Sequence, residues 1–126
     1  MIKDHHHIHI RCQDLLLSHA FYVDILGGRE LKHYFTKKGT EIYLVLVGDT
    51  TLALSPQKGE LDRPLPDTQP VGLFQIAYRV EDVKQALDEF ARRGGKIKGG
   101  IIEATPGVWA GFVQGPDGVE IELMQE

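Results

Sequence analysis

A single cysteine, Cys12, leaves this chain without the means for an intramolecular disulfide or a thiolate cluster around a metal. No apolar run approaches the roughly 20 residues of a membrane-spanning helix, and the start of the chain lacks the charged-then-apolar pattern of a secretory leader. Basic residues number 14 against 18 acidic ones, giving a net charge of −4 with histidine neutral. They form no basic cluster, which argues against a phosphate-tracking surface for nucleic acid. These absences lead to an expectation of a cytoplasmic protein with neither nucleic acid nor membrane as a partner. The 126 residues are 42% apolar and 25% charged, the proportions of one ordinary globular domain able to bury a core.

Histidine, in contrast, is concentrated at the start. Residues 5 to 12 alternate as a strand would, with His6, Ile8, Ile10 and Cys12 on one face and His5, His7, His9 and Arg11 on the other. The alternation runs straight on from the triple histidine, so these residues are read as native strand and not as a tag. Asp14 is placed to cap a helix whose apolar positions include Leu15, Phe21, Tyr22, Ile25 and Leu26, ending at Gly27-Gly28. Strands are expected near Glu30 to Tyr34, over Glu41 to Val47 and over Thr50 to Ser55. The stretch from Pro56 to Pro70 is rich in proline and charge and reads as a connecting loop.

The second half follows the same plan. A strand is expected over Leu73 to Val80, and then a helix capped by Asp82 and stopped by Gly94-Gly95. Strands near Lys96 to Ile102, Val108 to Gln114 and Val119 to Gln125 follow, the last two joined by a turn at Pro116-Asp117-Gly118. A shift of 68 residues carries Asp14 to Asp82, Tyr22 to Phe90 and Gly27 to Gly95. The chain therefore reads as an internal duplication: an α+β fold of two tandem βαβββ modules, about residues 5–56 and 72–125, joined by the loop 56–71. The expected architecture is a curved mixed sheet around a cleft, with the helices outside.

Duplication singles out positions that should face one another across such a cleft. His7 maps to Gln75, and Leu52-Ala53-Leu54 maps to Ile121-Glu122-Leu123. Of the four positions His7, Ala53, Gln75 and Glu122, three carry donors: an imidazole, an amide oxygen and a carboxylate, a nitrogen–oxygen set suited to a divalent cation. Glu120 is expected to reach solvent near the turn. Arg11 and Arg79, at related ends of equivalent strands, could hold an anionic group. Tyr43 and Trp109 are aromatic residues for either the cleft or the core, and Cys12 faces the apolar side.

Three stretches carry a resemblance to a known family: His7-Ile8-His9-Ile10-Arg11-Cys12-Gln13-Asp14-Leu15, Phe21-Tyr22-Val23-Asp24-Ile25-Leu26-Gly27, and Gly115-Pro116-Asp117-Gly118-Val119-Glu120-Ile121-Glu122-Leu123. On these the chain resembles the vicinal oxygen chelate superfamily, which includes glyoxalases, epimerases, fosfomycin- and bleomycin-resistance proteins and extradiol dioxygenases. The resemblance implies His7, Gln75 and Glu122 as metal ligands, with Gln75 standing where histidine is common and Ala53 where the glyoxalases often have glutamate. It also implies a small-molecule substrate or ligand and a homodimer with module exchange.

Two functions of different kinds follow. The first is a glyoxalase-like lyase, isomerase or epimerase acting on a small oxygen-rich substrate. There a divalent metal (Zn, Ni, Mn, Co or Fe) stabilises an enediolate, and Glu122 or His9 moves the proton. The alternative is a metal-free protein that binds a drug or antibiotic, as bleomycin-resistance proteins do. A dioxygenase is a further alternative, weakened by the absence of a second histidine ligand.

Overall fold

The computed structural model describes all 126 residues. The chain forms two compact units, Met1–Glu60 and Leu61–Glu126. Each carries its own four-stranded mixed sheet.

In the first unit the elements are β1 (Ile8–Cys12), α1 (Leu15–Ala20), β2 (Arg29–Phe35), β3 (Glu41–Val47) and β4 (Thr50–Pro56). The sheet order is β1-β4-β3-β2, with β1 parallel to β4 and the other pairs antiparallel. Asp14 caps α1 as expected, accepting from the Leu17 amide at 3.1 Å. Instead of running on as α-helix to the glycines, the chain loosens after Ala20 into a π-helical turn over Phe21–Ile25. The turn still seats Phe21 and Tyr22 in the core, Tyr22 with no exposed surface. Gly28 is needed here for space: a β-carbon would lie 2.6 Å from the Tyr22 carbonyl oxygen and 2.9 Å from Val47. The core is completed by Cys12, Val45, Leu52 and Leu54, all fully buried.

In the second unit the elements are β5 (Gln75–Arg79), α2 (Val83–Arg92), β6 (Lys96–Thr105), β7 (Val108–Gln114) and β8 (Glu120–Gln125), in sheet order β5-β8-β7-β6. Again the outer parallel pair, β5 with β8, adjoins an antiparallel set. Asp82 caps α2 by accepting from the Gln85 amide at 2.9 Å. The helix lies on the face that carries Gly111: a β-carbon there would meet Leu87 Cδ1 at 2.6 Å and Val83 at 3.1 Å. Register then puts Leu123 and Ile121 on that covered face, and leaves Glu120, Glu122, Phe112 and Gln114 on the open one. The turn between β7 and β8 uses positive φ at Asp117 (63°) as well as Gly118 (77°), so aspartate shares the left-handed work assigned to glycine.

The connecting stretch differs at its two ends. Its second part is fastened to the second unit, where the Gln69 amide donates to the Gly118 carbonyl at 3.2 Å and Gln114 donates to the Asp67 carbonyl at 2.7 Å.

Candidate functional site

The open sheet faces carry His9, Arg11, Gln75, Glu120 and Glu122 among the residues singled out from the sequence. In the first unit, His9 lies opposite Ala53 and Arg11 opposite Ser55. His7 precedes β1, is exposed, and contacts His6 through ring nitrogens 2.8 Å apart. Its ring centroid lies 6.1 Å from that of His9. The His9 Nε2 is 2.8 Å from Ser55 Oγ, and Ser55 is buried. Partial burial, followed by the nearby His7 and Arg11, holds the His9 imidazole below its usual pKa. Ser55 had no place in the sequence reading, although it lies two residues beyond Ala53 and alternation puts it on the same face.

In the second unit Gln75 lies opposite Glu120, and Glu122 one step along, opposite Ala77. Gln75 Nε2 donates to Glu120 Oε2 at 2.7 Å, and Lys98 Nζ donates to Glu120 Oε1 at 2.9 Å. Lys98 also donates to Thr68 at 3.1 Å. The expectation that Glu120 reaches solvent is thus corrected: its side chain is only 14% exposed and both its oxygens are bonded. Burial alone would raise its pKa, but the hydrogen bonds from Lys98 and Gln75 outweigh that and hold it below the usual value. Its neighbour differs. The Glu122 carboxylate is half-buried on the same face and makes no hydrogen bond or ion pair.

The donors fit a divalent cation in type. Donating its amide hydrogen to Glu120 fixes the Gln75 side chain and leaves its carbonyl oxygen free to accept. Within either unit alone, no three His, Cys, Asp or Glu side chains converge as a metal site. No helix is long and apolar enough to cross a membrane.

Two aromatic residues are placed by the structure. Tyr43 lies on the helix-covered face, stacked on His33 with centroids 4.0 Å apart and beside His19 of α1 at 4.5 Å. Packing, and after it the Glu41 and Glu30 carboxylates, push its phenol above the usual pKa. Trp109 sits near the start of β7 and is 41% exposed.

The sequence model of the Glyoxalase/Bleomycin resistance protein/Dioxygenase superfamily matches residues 5–123. The chain belongs to this superfamily. A relative in Synechocystis, described as a probable lactoylglutathione lyase, is 34% identical over 127 residues, covering 94% of this chain and 92% of that protein. The superfamily fold recurs in the crystal structure of a glyoxalase family protein from Enterococcus faecalis, with a TM-score of 0.78, 22% identity and 98% of each chain covered. The fosfomycin resistance protein FosX from Listeria monocytogenes, crystallised with Mn(II) and sulfate, superposes with a TM-score of 0.69 at 17% identity, covering all of this chain and 94% of that one. Glyoxalase-superfamily membership and the α+β fold of two four-stranded mixed sheets therefore stand as expected.

Proposed function

We propose that the protein is a glyoxalase-like enzyme of lyase or isomerase type, acting on a small oxygen-rich substrate with a divalent cation held by His7, Gln75 and Glu122. The observation that carries this reading is the contrast between adjacent carboxylates. Glu120 is fully engaged by Gln75 and Lys98, while Glu122, half-buried on the same face, is engaged by nothing. A carboxylate partly withdrawn from water without a partner is costly unless it serves a ligand. The donor types agree, and so does the relative described as a probable lactoylglutathione lyase.

A cation bound there supplies Lewis-acid stabilisation of charge on adjacent substrate oxygens. The chain's own residues do the rest. Glu120 fixes the Gln75 amide. Ser55 holds one ring nitrogen of His9, so that the imidazole keeps a set orientation and its other nitrogen can take or return a proton. A homodimer accompanies this reading.

The test is turnover. Protein supplied in turn with Zn²⁺, Ni²⁺, Mn²⁺, Co²⁺ and Fe²⁺ is assayed for formation and cleavage of lactoylglutathione, and then for epimerisation of small 2-oxo acid esters. Metal-dependent turnover of any of these, lost in Glu122→Gln, supports the reading. A ligand that raises the melting temperature without metal and without turnover would replace it with the binding-protein alternative.

A further inference from the structure

On the open face of the second unit, two hydrogen bonds in series lead from β6 to Gln75. Lys98 Nζ donates to Glu120 Oε1 at 2.9 Å, and the other oxygen, Oε2, accepts from Gln75 Nε2 at 2.7 Å. We propose that Lys98 is a positioning residue: through Glu120 it sets the Gln75 amide so that its carbonyl oxygen is presented to a bound divalent cation. The inference rests on the proposed function for the cation and goes beyond it in giving Lys98 a part in the site.

The sheet itself does not call for this carboxylate. Register gives Glu120 the place beside Gln114 that Thr51 holds beside Leu46 in the first unit, where the same parallel strand pair forms without an acid. A carboxylate only 14% exposed is costly unless its oxygens are bonded. The two side chains that bond it are the ammonium on one oxygen and the Gln75 amide on the other. His7, the counterpart of Gln75 in the first unit, is exposed ahead of β1, and its ring contacts are with His6 and His9. The brace thus belongs to the Gln75 side of the duplication and not to the fold.

Lys98 also has two acids within its half of the face. It lies opposite Phe112, which lies opposite Glu122, so Lys98 and Glu122 share one row across the sheet. The ammonium nevertheless reaches diagonally to Glu120, and a second bond, to Thr68 Oγ1 at 3.1 Å, holds it there. One cation therefore steadies the acid that orients Gln75 and leaves Glu122 unpaired. Without the ammonium, one oxygen of Glu120 loses its partner and the carboxylate turns toward water, which releases the Gln75 amide from its set orientation. Outer-shell partners of this kind orient metal ligands, and their loss weakens metal affinity about 10- to 100-fold.

The test uses the full chain with two readouts. In the metal-free protein, the steady-state nitrogen–proton NOE of the Gln75 side-chain amide reports its order. In the same preparation, calorimetric titration with Zn²⁺ and with Mn²⁺ reports affinity. In Lys98→Met the NOE is expected to fall from a high positive value toward zero, and the affinity to weaken about 10- to 100-fold. Lys98→Arg restores both, because a guanidinium can also donate to Glu120. Asp82→Ala, which weakens a helix cap away from the open face, leaves both readouts within about twofold and so separates positioning from general loss of stability. An unchanged Gln75 NOE in Lys98→Met, an unchanged affinity once that order is lost, or equal losses in Asp82→Ala overturns the proposal. If the parent protein takes up neither ion, the proposed function fails, while the metal-free NOE still decides whether Lys98 positions Gln75.

Discussion

Where the second unit presents Glu122 on its open face, the first presents Ala53; where the first leaves Arg11 without a counter-ion, the second ties Arg79 to Glu126. The helix caps and the strand order show no such divergence. Asp14 and Asp82 cap their helices through the same bond to the third amide onward, and both sheets repeat the order first, fourth, third, second. The difference teaches where this duplicated chain changed. The caps kept their roles, because a first-turn helix amide left without an acceptor costs stability. Residues on the open faces were free to part, one unit keeping a carboxylate and the other an arginine with no counter-ion.

Seven substitutions sharpen or break that contrast. The largest effect is expected from Glu122→Gln, which makes the second unit as poor in charge at this position as the first. Catalytic turnover should fall about 100-fold or more, the upper end of what outer-shell partners of a metal contribute. The melting temperature of the metal-free protein should hold, because the carboxylate has no partner to lose. Kinetics and calorimetry on one preparation check both halves.

Next come the two crowded glycines. Gly28→Ala pushes a methyl against the Tyr22 carbonyl, which is backbone and cannot yield, whereas Gly111→Ala meets the end of the Leu87 side chain. Both should destabilise, by about 1–3 kcal/mol in urea denaturation, with Gly28→Ala the larger. A Gly111→Ala that costs more would mean that the second unit's helix is held more rigidly than the first unit's π-helical turn.

Lys98→Met should cost about 1–3 kcal/mol, since it removes one of the two bonds of a mostly buried Glu120. Arg79→Met, which breaks an exposed pair, should change stability by less than about 0.5 kcal/mol. Equal costs for the two would undo the distinction between an engaged and a superficial carboxylate. The most symmetrical effects belong to the caps: Asp14→Ala and Asp82→Ala are each expected to cost about 1 kcal/mol, read as matching falls in denaturation midpoint.

Much of this was legible in the sequence because it is written in periodicity. Alternation along β1 put His9 and Arg11 on the face away from Ile10 and Cys12, although the strand starts at Ile8 and leaves His7 ahead of it, and the two aspartates with their following glycines marked the duplication. What alternation does not carry is the pairing across strands. Gln75 and Glu122 were rightly given to one face, but register sets Gln75 beside Glu120, and the amine that makes Glu120 a structural carboxylate comes from β6, 22 residues earlier. The same limit hid Ser55, whose bond to His9 spans 46 residues. Tyr43 could be assigned to either side from composition. Its stacking against His33 and His19 places it with the helix, a contact between three elements that no local pattern records. The π-helical turn at Phe21–Ile25 was likewise invisible, since its apolar spacing is close to that of an α-helix.

The central claim is that Glu122, and not Glu120, is the carboxylate that serves a metal. It is tested most directly by elemental analysis of the untagged protein beside Glu122→Gln, both dialysed after exposure to Zn²⁺, Ni²⁺, Mn²⁺, Co²⁺ and Fe²⁺ in turn. The account predicts one divalent ion per chain in the parent protein and none in the variant. An unchanged metal content in Glu122→Gln, or no metal in either protein, would contradict it.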